Sequence, residues 1–137
     1  MSLKSFFNTK SFQRETAGFL VAATAGDNEA ISAFLNKYGT GVVDNRGSGG
    51  LTALMFAAWA GKKETVELLL AKGADINNRD DQGRTVLMLS ALGGHKDTTV
   101  LLMQKKGDIV EEGDVYSKTG IQKSVTTKHG AIFRYQA

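Results

Sequence analysis

The sequence predicts an all-α solenoid of about three stacked helix–turn–helix repeats, with atypical caps at its two ends. Residues 50–83 run through a short Ala-rich segment, a glycine, an apolar-striped segment, a second glycine and a polar loop. The same order returns 33 residues downstream. Neither helical segment of a unit has enough apolar surface to form a core alone, so each unit needs neighbours against which to pack.

The internal repeat is clearest in the residue pairs that a shift of 33 positions brings together. They include Thr52 and Thr85, Leu54 and Leu87, Met55 and Met88, Gly61 and Gly94, Leu69 and Leu102, and Asp75 and Asp108. A shared apolar run alone would be weak evidence. Glycines, a threonine, an aspartate and a helical stripe at one spacing indicate a true repeat.

In its period and its order of elements, this repeat resembles the ankyrin repeat. The family pattern Gly-x-Thr-Pro-Leu-His corresponds here to residues 50–55 and 83–88. The pattern Leu-Leu-Leu-x-x-Gly-Ala-Asp-x-Asn is intact at residues 68–77. The resemblance is specific over residues 50–112 and weaker on either side. It implies a stack of paired helices joined by projecting loops.

Two positions depart from the family pattern. The turn proline is Ala53 in one repeat and Val86 in the next, and the chain contains no proline. The motif histidine is replaced by Met55 and Met88. In the family, the threonine and histidine tie the turn to the next repeat. Because a rigid turn residue and a polar tie are both lost, we expect a stack less stable than an idealised one.

We expect a single domain, since the chain has 137 residues. Its segments are an N-terminal cap (1–15), a degenerate first repeat (16–49), a second repeat (50–82), a third repeat (83–112) and a C-terminal cap or tail (113–137). The first repeat rests on the match of residues 22–31 with residues 57–66 at an offset of 35. The cap is predicted to be helical from Ser11, and its phenylalanines to cover the open end of the first repeat.

The C-terminal segment has two interpretations. Residues 125–127 and 131–135 are rich in β-branched and aromatic types and flank a turn signal at 128–130, which favours a hairpin or an extended tail. Residues 119–125 would instead begin a fourth helix, one residue late relative to the repeats. We favour the hairpin.

The composition excludes several kinds of chemistry. The chain has no cysteine, so disulfides, cysteine-based zinc sites and thiol nucleophiles are excluded. His95 and His129 are the only histidines, and neither lies at metal-ligand spacing from a carboxylate cluster. His95 follows Gly94, where the family often has histidine, so a structural role is favoured. We expect no catalytic residue, no cofactor and no metal.

Two features of the predicted loops are also interpreted as structural. Asp80 and Asp81 are adjacent carboxylates, which we expect to be solvated. Residues 47–50 are glycine-rich and precede a helix, but a phosphate-binding loop would continue with Gly-Lys-Ser or Gly-Lys-Thr, whereas this one continues with Gly-Leu-Thr. We expect a flexible loop there.

The charge is unevenly placed along the chain. Residues 1–14 and residues 113–137 each carry an excess of three positive charges, whereas the segment between them is acidic. An excess of basic residues suggests nucleic acid as a partner. Here the basic residues are spread over the two ends of the chain, so solvated termini are the favoured interpretation. No apolar run reaches the roughly 18 residues of a membrane span. Residues 17–25 imitate a secretory signal, but Glu15 precedes them, so we expect a cytoplasmic protein.

The resemblance implies a binding function. In the family, the first helices and the loops form a concave face that contacts protein partners. The residues of this sequence at the matching positions are Ser48, Leu51, Trp59, Asp81, Gln82, Arg84 and Leu92. The expectation is a non-catalytic module, monomeric when free, that binds one protein partner. Small bacterial members include cognate inhibitors such as immunity proteins that neutralise a toxin, and that is the specific form of the hypothesis. The alternatives are nucleic-acid or nucleoprotein binding through the basic termini and Arg84, and an assembly unit that uses exposed repeat ends.

Trp59 is the most informative single residue, and the sequence leaves two interpretations open. It follows Ala57 and Ala58 at a first-helix position that faces the groove, where it would be an exposed aromatic anchor beside Leu51 and Leu92. Alternatively, it packs beneath the N-terminal phenylalanines as part of the core.

Overall fold

A computed structural model describes residues 9–106, 109–117, 120–127 and 132–136. Within these residues the α-helices are α1 Lys10–Ala25, α2 Asn28–Tyr38, α3 Ala53–Trp59, α4 Lys63–Ala71, α5 Val86–Leu92 and α6 Lys96–Lys106. The strands are β1 Ile109–Ser117, β2 Gly120–Thr127 and β3 Ile132–Gln136. The helices pack as three successive pairs, and the first helix of the middle pair lies between those of the other two. The prediction of an all-α repeat solenoid is therefore confirmed for the helical region.

The repeated threonines and glycines define the ends of the helices. Thr52 and Thr85 precede α3 and α5, and their hydroxyl oxygens accept hydrogen bonds from the backbone N–H groups of Met55 at 3.4 Å and Met88 at 3.2 Å. Such caps satisfy donors that have no partner inside a helix. Gly61 closes the turn between α3 and α4 with a φ of +71°, a conformation that favours glycine.

Methionine partly replaces the missing motif histidine. The sulfur of Met55 accepts the backbone N–H of Thr52 at 3.4 Å, so the two residues cap the start of α3 reciprocally. A thioether is a weak acceptor, and Met55 adds apolar volume to the core because it is fully buried. The cap geometry is retained, although the polar bond at this position is weaker.

The buried side chains of the second helices recur at the 33-residue spacing of the repeats. Leu69 of α4 and Leu102 of α6 occupy equivalent positions, and both are fully buried. Ile31 of α2 is fully buried as well. These side chains join the inner faces of the first helices in one hydrophobic cluster. The stack is therefore held together by a continuous core rather than by separate repeats.

The N-terminal helix is continuous across the predicted boundary between the cap and the first repeat. It begins at Lys10, one residue before the predicted start at Ser11. Phe12 is buried, and its ring lies 6.4 Å from that of Phe34, which in turn stacks on Phe19 at 4.5 Å. These rings pack α1 against α2. The expected role of the earlier phenylalanines concerns residues 1–8, which lie outside the described residues.

A charged cluster joins α1 to α2 at the surface. The Lys37 Nζ donates to Glu15 Oε1 at 2.9 Å, and the Tyr38 hydroxyl donates to the other oxygen of the same carboxylate. The hydrogen bond from Tyr38, followed by that from Lys37, holds the pKa of Glu15 below its ordinary value. Because the pair is solvent-exposed, its contribution to stability is small.

The C-terminal strands form one antiparallel sheet in the order β1-β2-β3. β2 pairs with β3, with Val125 opposite Phe133 and Thr126 opposite Ile132, and the turn of the predicted hairpin at residues 128–130 lies outside the described residues. The alternative fourth helix is wrong, because its residues belong to β2, where β-branched types favour a strand. β1 was not predicted. Residues 109–112, which the sequence assigned to the end of the third repeat, are its first four residues.

Candidate protein-binding surface

Two projecting loops border the first helices, and backbone contacts tie them to one another. We call residues 39–52 the first finger loop and residues 73–85 the second. The guanidinium Nη1 of Arg46 donates to the carbonyl oxygen of Gly50 at 2.7 Å and also to that of Arg79 in the second loop. One side chain thus closes its own loop and holds the next one in place.

A close approach of the two loops requires glycine. The N–H of Asp81 donates to the carbonyl oxygen of Gly49 at 2.9 Å. Gly50 has a φ of +74°, and a Cβ built on it would overlap the Asp81 carboxylate. The N–H of Asp75 further donates to the Asp44 carboxylate at 3.1 Å. The first loop was expected to be flexible, but these bonds fix it against its neighbour.

A buried carboxylate organises the second finger loop. The Asp80 side chain is fully buried and accepts hydrogen bonds from the N–H of Gln82 at 2.9 Å, the N–H of Arg84 at 2.8 Å and the Arg84 Nε at 2.7 Å. The prediction that Asp80 and Asp81 form a solvated pair is therefore wrong for Asp80. Only Asp81 is exposed. Burial became favourable because three donors converge on one carboxylate.

These donors also control the ionisation of Asp80. Burial alone would raise its pKa, but the backbone N–H and guanidinium of Arg84, with the N–H of Gln82, together lower the pKa below its ordinary value. A carboxyl group with a lowered pKa in the folded state stabilises that state above its unfolded pKa of about 4, and the contribution disappears as the pH falls through the folded pKa.

Asp80→Asn should therefore destabilise the chain at neutral pH and have a diminishing effect in acid. The neutral amide keeps the shape of the side chain but loses the charge-assisted bonds to Arg84. Urea unfolding across the acid range measures this difference. Asp81→Asn is the matched control, because that side chain is exposed. Equal midpoints for the parent and Asp80→Asn at neutral pH would contradict the assignment.

The structure separates the predicted binding residues into two groups. Five side chains are exposed, namely those of Ser48, Trp59, Asp81, Gln82 and Leu92. Leu51 is partly buried and packs against the core, so it is not the exposed neighbour of Trp59 that the sequence suggested. Arg84 is partly buried, and its Nε is used by Asp80.

Trp59 lies at the end of α3 with 49% of its surface exposed. This exposure rules out the interpretation in which Trp59 packs into the core beneath the N-terminal phenylalanines. The buried rings of that region are those of Phe12, Phe19 and Phe34, on α1 and α2. The indole is thus available at the surface of the middle repeat.

Trp59 is one of three large apolar side chains that are exposed on neighbouring first helices, together with Met88 and Leu92 on α5. Their exposed fractions are 50% for Met88 and 63% for Leu92. Leu92 occupies the position of Trp59 one repeat later, and Met88 lies four residues before it on the same side of α5. A Cβ built on Gly93 would lie 2.5 Å from the Trp59 carbonyl oxygen, so the two repeats are in direct contact here. We call these three residues the Trp59 patch.

Met88 was missed by the sequence reasoning. Its equivalent in the middle repeat, Met55, is fully buried, so the two positions differ in exposure although the repeat pattern pairs them. The signal that identifies it is its place in the third repeat, after which the described part of the chain has no further helix pair in register. An apolar side chain that is buried between two repeats inside the stack is exposed at the equivalent position of a terminal repeat, because no following repeat packs on it.

A groove of about 820 Å³ lies between α1 and the first finger loop. The described side chains that line it include Phe12, Leu20, Val21, Val42 and Phe56. Arg46 and Ser48 lie at its edge on the loop side. Ser48 is the one residue of this set that the sequence predicted as a binding residue, because the groove forms between segments that are distant in the chain.

His95 has a structural place between repeats, as predicted. A Cβ on Gly61 would overlap the imidazole ring, and one on Gly93 would lie 2.8 Å from its Cδ2. The ring therefore fills the space over two turn glycines. Among the side chains that the structure describes, no group of three or more His, Asp or Glu residues is arranged to hold a metal ion. No helix in the same part of the chain has the length and apolar character needed to cross a membrane.

Comparison with known proteins identifies the fold family. The family model for ankyrin repeats, in three copies, matches residues 19–114, which is more than half of the chain. No curated protein matches the chain. The matched residues include all of α2 to α6 and the two finger loops. Ankyrin repeats indicate a module for protein–protein interaction, and members are generally non-catalytic scaffolds. The chain belongs to the ankyrin-repeat family.

Proposed function

We propose that the chain binds one protein partner on the face formed by its first helices and finger loops, with the Trp59 patch at the centre. The observation that carries this proposal is the exposure of three large apolar side chains on adjacent repeats. Monomeric proteins rarely leave such side chains together at the surface without a use. Tryptophan is also among the residues most enriched in binding hot spots.

The finger loops that precede the first helices expose polar side chains. Asp81 and Gln82 are exposed on the second finger loop, and Ser48 is exposed on the first. Polar residues around an apolar centre are the usual arrangement of protein interfaces. Arg84 is better described as a support than as a contact, because Asp80 holds its guanidinium. We therefore expect the partner to present an apolar segment to Trp59 and polar groups to the loops.

The more specific form of the proposal is a cytoplasmic inhibitor, such as an immunity protein that covers the working surface of a toxin. The rigidity of the finger loops supports it. Arg46 and Asp81 connect the two loops, and Asp80 closes the second loop on itself. A surface that is already ordered loses little conformational freedom on binding, which favours tight and lasting association. A free chain that is monomeric is part of the same proposal.

Binding of nucleic acid through the basic termini is the competing function. Among the described residues, Arg46 and Arg79 donate to backbone carbonyl oxygens, and Arg84 is paired with Asp80. Arg84 is the residue of the helical region that the competing hypothesis uses, and Asp80 holds its guanidinium. The engagement of Arg84 is the observation that favours a protein partner.

The test is capture from the native source on the immobilised chain, at low and at high salt. Three baits are compared: the parent, Trp59→Ala, and Glu67→Ala as a control on the exposed side of α4. We expect the parent and Glu67→Ala to retain the same protein at both salt concentrations, and Trp59→Ala to lose it. One result would contradict the proposal: retained nucleic acid whose binding constant falls by roughly one logarithmic unit per tenfold increase in salt for each phosphate contact. The Trp59→Ala bait would retain the same amount of it as the parent.

A further inference from the structure

The two finger loops contain the same arginine contact at the repeat spacing. The Arg46 Nη1 donates to the carbonyl oxygen of Gly50 at 2.7 Å. Thirty-three residues later, the Arg79 Nη1 donates to the carbonyl oxygen of Gly83 at 3.0 Å. Two backbone hydrogen bonds within each loop also recur at this spacing. The loops are therefore built alike, so an arginine in one loop can be compared directly with its equivalent in the other.

Arg46 makes one contact that Arg79 lacks. It also donates to the main-chain carbonyl oxygen of Arg79, and this bond joins the two loops. The equivalent acceptor for Arg79 would be the carbonyl oxygen of Glu112, but Glu112 belongs to β1 and pairs with Val125 of β2. In the part of the chain that the structure describes, the Arg79 side chain makes a single hydrogen bond, to Gly83. The position that the second loop fills for Arg46 is therefore open for Arg79.

The Arg79 side chain is both exposed and held in place. A guanidinium has five N–H donors in one plane. The bond from Nη1 to Gly83 leaves the donors on Nε and Nη2 for other acceptors. The backbone of Arg79 is fixed as well, since it forms an isolated antiparallel bridge with Thr85 and precedes the buried Asp80. An exposed arginine that is already positioned loses less side-chain freedom on binding than a mobile one.

The charge of the loops favours an uncharged acceptor. The second finger loop, residues 73–85, has three acids and two bases, so its net charge is −1. The first finger loop, residues 39–52, has one acid and one base, so its net charge is zero. Neither loop attracts an acidic segment over a distance. A main-chain carbonyl is neutral, and it is the group that Arg46 binds at the equivalent position.

The backbone contact between the loops does not carry over in the same way. Asp81 donates its N–H to the carbonyl oxygen of Gly49, which has a φ of +73°. The equivalent residue of the second loop is Gln82, and among the described residues only glycines have a positive φ. The backbone thus differs at these two positions, so we expect only the arginine contact to recur with a partner.

We propose that Arg79 is a contact residue for the protein partner and donates from its guanidinium to a main-chain carbonyl oxygen on an exposed loop of that partner. The partner loop would occupy, relative to Arg79, the place that the second finger loop occupies relative to Arg46. This inference rests on the proposed function, because it assigns one contact on the finger-loop side of the same binding face.

The test is a titration with the purified protein that the parent bait retains. The parent, Arg79→Ala and Lys63→Ala are compared at low and at high salt. Lys63→Ala is the matched control, because it removes one positive charge from an exposed position at the start of α4. We expect Arg79→Ala to weaken the Kd roughly tenfold at both salt concentrations, as for the loss of one hydrogen bond from a charged donor to a neutral acceptor. Lys63→Ala should leave the Kd unchanged.

The fold of each variant is checked by urea unfolding, because Arg79→Ala also removes the bond to Gly83. If Arg79→Ala does not fold, Arg79→Lys replaces it. Lysine keeps the charge, but a single ammonium group cannot fill two positions of a planar fork. We expect Arg79→Lys to weaken the Kd severalfold.

Three results of the titration would overturn the assignment of Arg79. A folded Arg79→Ala variant that binds like the parent would remove Arg79 from the interface. A loss of binding that disappears at high salt would identify a carboxylate as the acceptor instead of a carbonyl. An equal loss for Lys63→Ala would show an effect of net charge alone.

The failure of this inference is distinguishable from that of the proposed function. If Trp59→Ala loses the retained protein and Arg79→Ala does not, only the assignment of Arg79 is wrong. If the parent retains no protein, both proposals are wrong.

Discussion

Leu69→Ala should lower the free energy of unfolding by about 2–5 kcal/mol, the range measured for truncation of a buried leucine. Leu69 is fully buried on α4 of the middle repeat. A small domain has a total stability of roughly 5–15 kcal/mol, so this loss is a large fraction of it. The middle repeat supports the repeats on either side through nearest-neighbour contacts, so the loss affects the whole stack. Urea unfolding followed by circular dichroism measures the change.

Leu92→Ala is the matched control for this prediction. It removes the same atoms from a side chain that is 63% exposed, so we expect a change within about 0.5 kcal/mol. Similar urea midpoints for Leu69→Ala and the parent would show that the buried face of α4 is wrongly assigned. A large loss for Leu92→Ala would instead show that this side chain is covered in solution.

Trp59→Ala should have the opposite profile, with a nearly unchanged fold and a large loss of binding. The side chain is half exposed at the end of α3, so its replacement by alanine removes few packing contacts. Truncation of a central aromatic anchor costs roughly 2 kcal/mol or more, which corresponds to about a thirtyfold weaker Kd. A thermal melt and a titration with the captured partner measure the two effects. Trp59→Phe, which keeps an aromatic ring, should lose less.

The two measurements distinguish the possible errors. A strong fall in stability for Trp59→Ala would place the indole in the core, with binding lost only through unfolding. A variant that both folds and binds like the parent would move the interface away from the Trp59 patch, most directly to the groove lined by Phe56 and Val21.

The parts of the fold that follow local rules could be predicted from the sequence. Thr52 and Thr85 begin helices because their hydroxyl groups cap the first turn. Gly61 ends a helix pair because its φ is positive. Leu69 and Leu102 are buried because they lie on one helical stripe at the repeat spacing. Each of these properties depends on a few neighbouring residues, so one sequence was enough.

The parts that depend on contacts between distant residues could not be predicted. Leu51 and Leu92 both match groove positions, yet Leu51 packs on the core and Leu92 does not. Asp80 resembles a solvated loop aspartate until the fold brings three donors to it. β1 contains Glu112 and Gly113, residues with little strand preference, and becomes a strand by pairing with β2.

The candidate site stays a prediction, and the structure adds only the exposure of its side chains. Five of the seven side chains that the resemblance selected are exposed. It missed Met88, because exposure at that position depends on where the stack ends. The match to a family pattern indicates which positions face a groove. Which side chains are exposed to a partner also depends on where the repeat stack ends and on the hydrogen bonds between the loops.

Fluorine NMR of Trp59 tests the central claim most directly. Trp59 is the only tryptophan, so fluorotryptophan labelling gives one resonance from the middle of the proposed interface. In the free chain we expect this resonance to respond to the exchange of H₂O for D₂O, because the indole is exposed. Addition of the captured partner should shift or broaden it and remove that response. A resonance that stays unchanged while the partner binds would contradict the claim that Trp59 is at the centre of the binding surface.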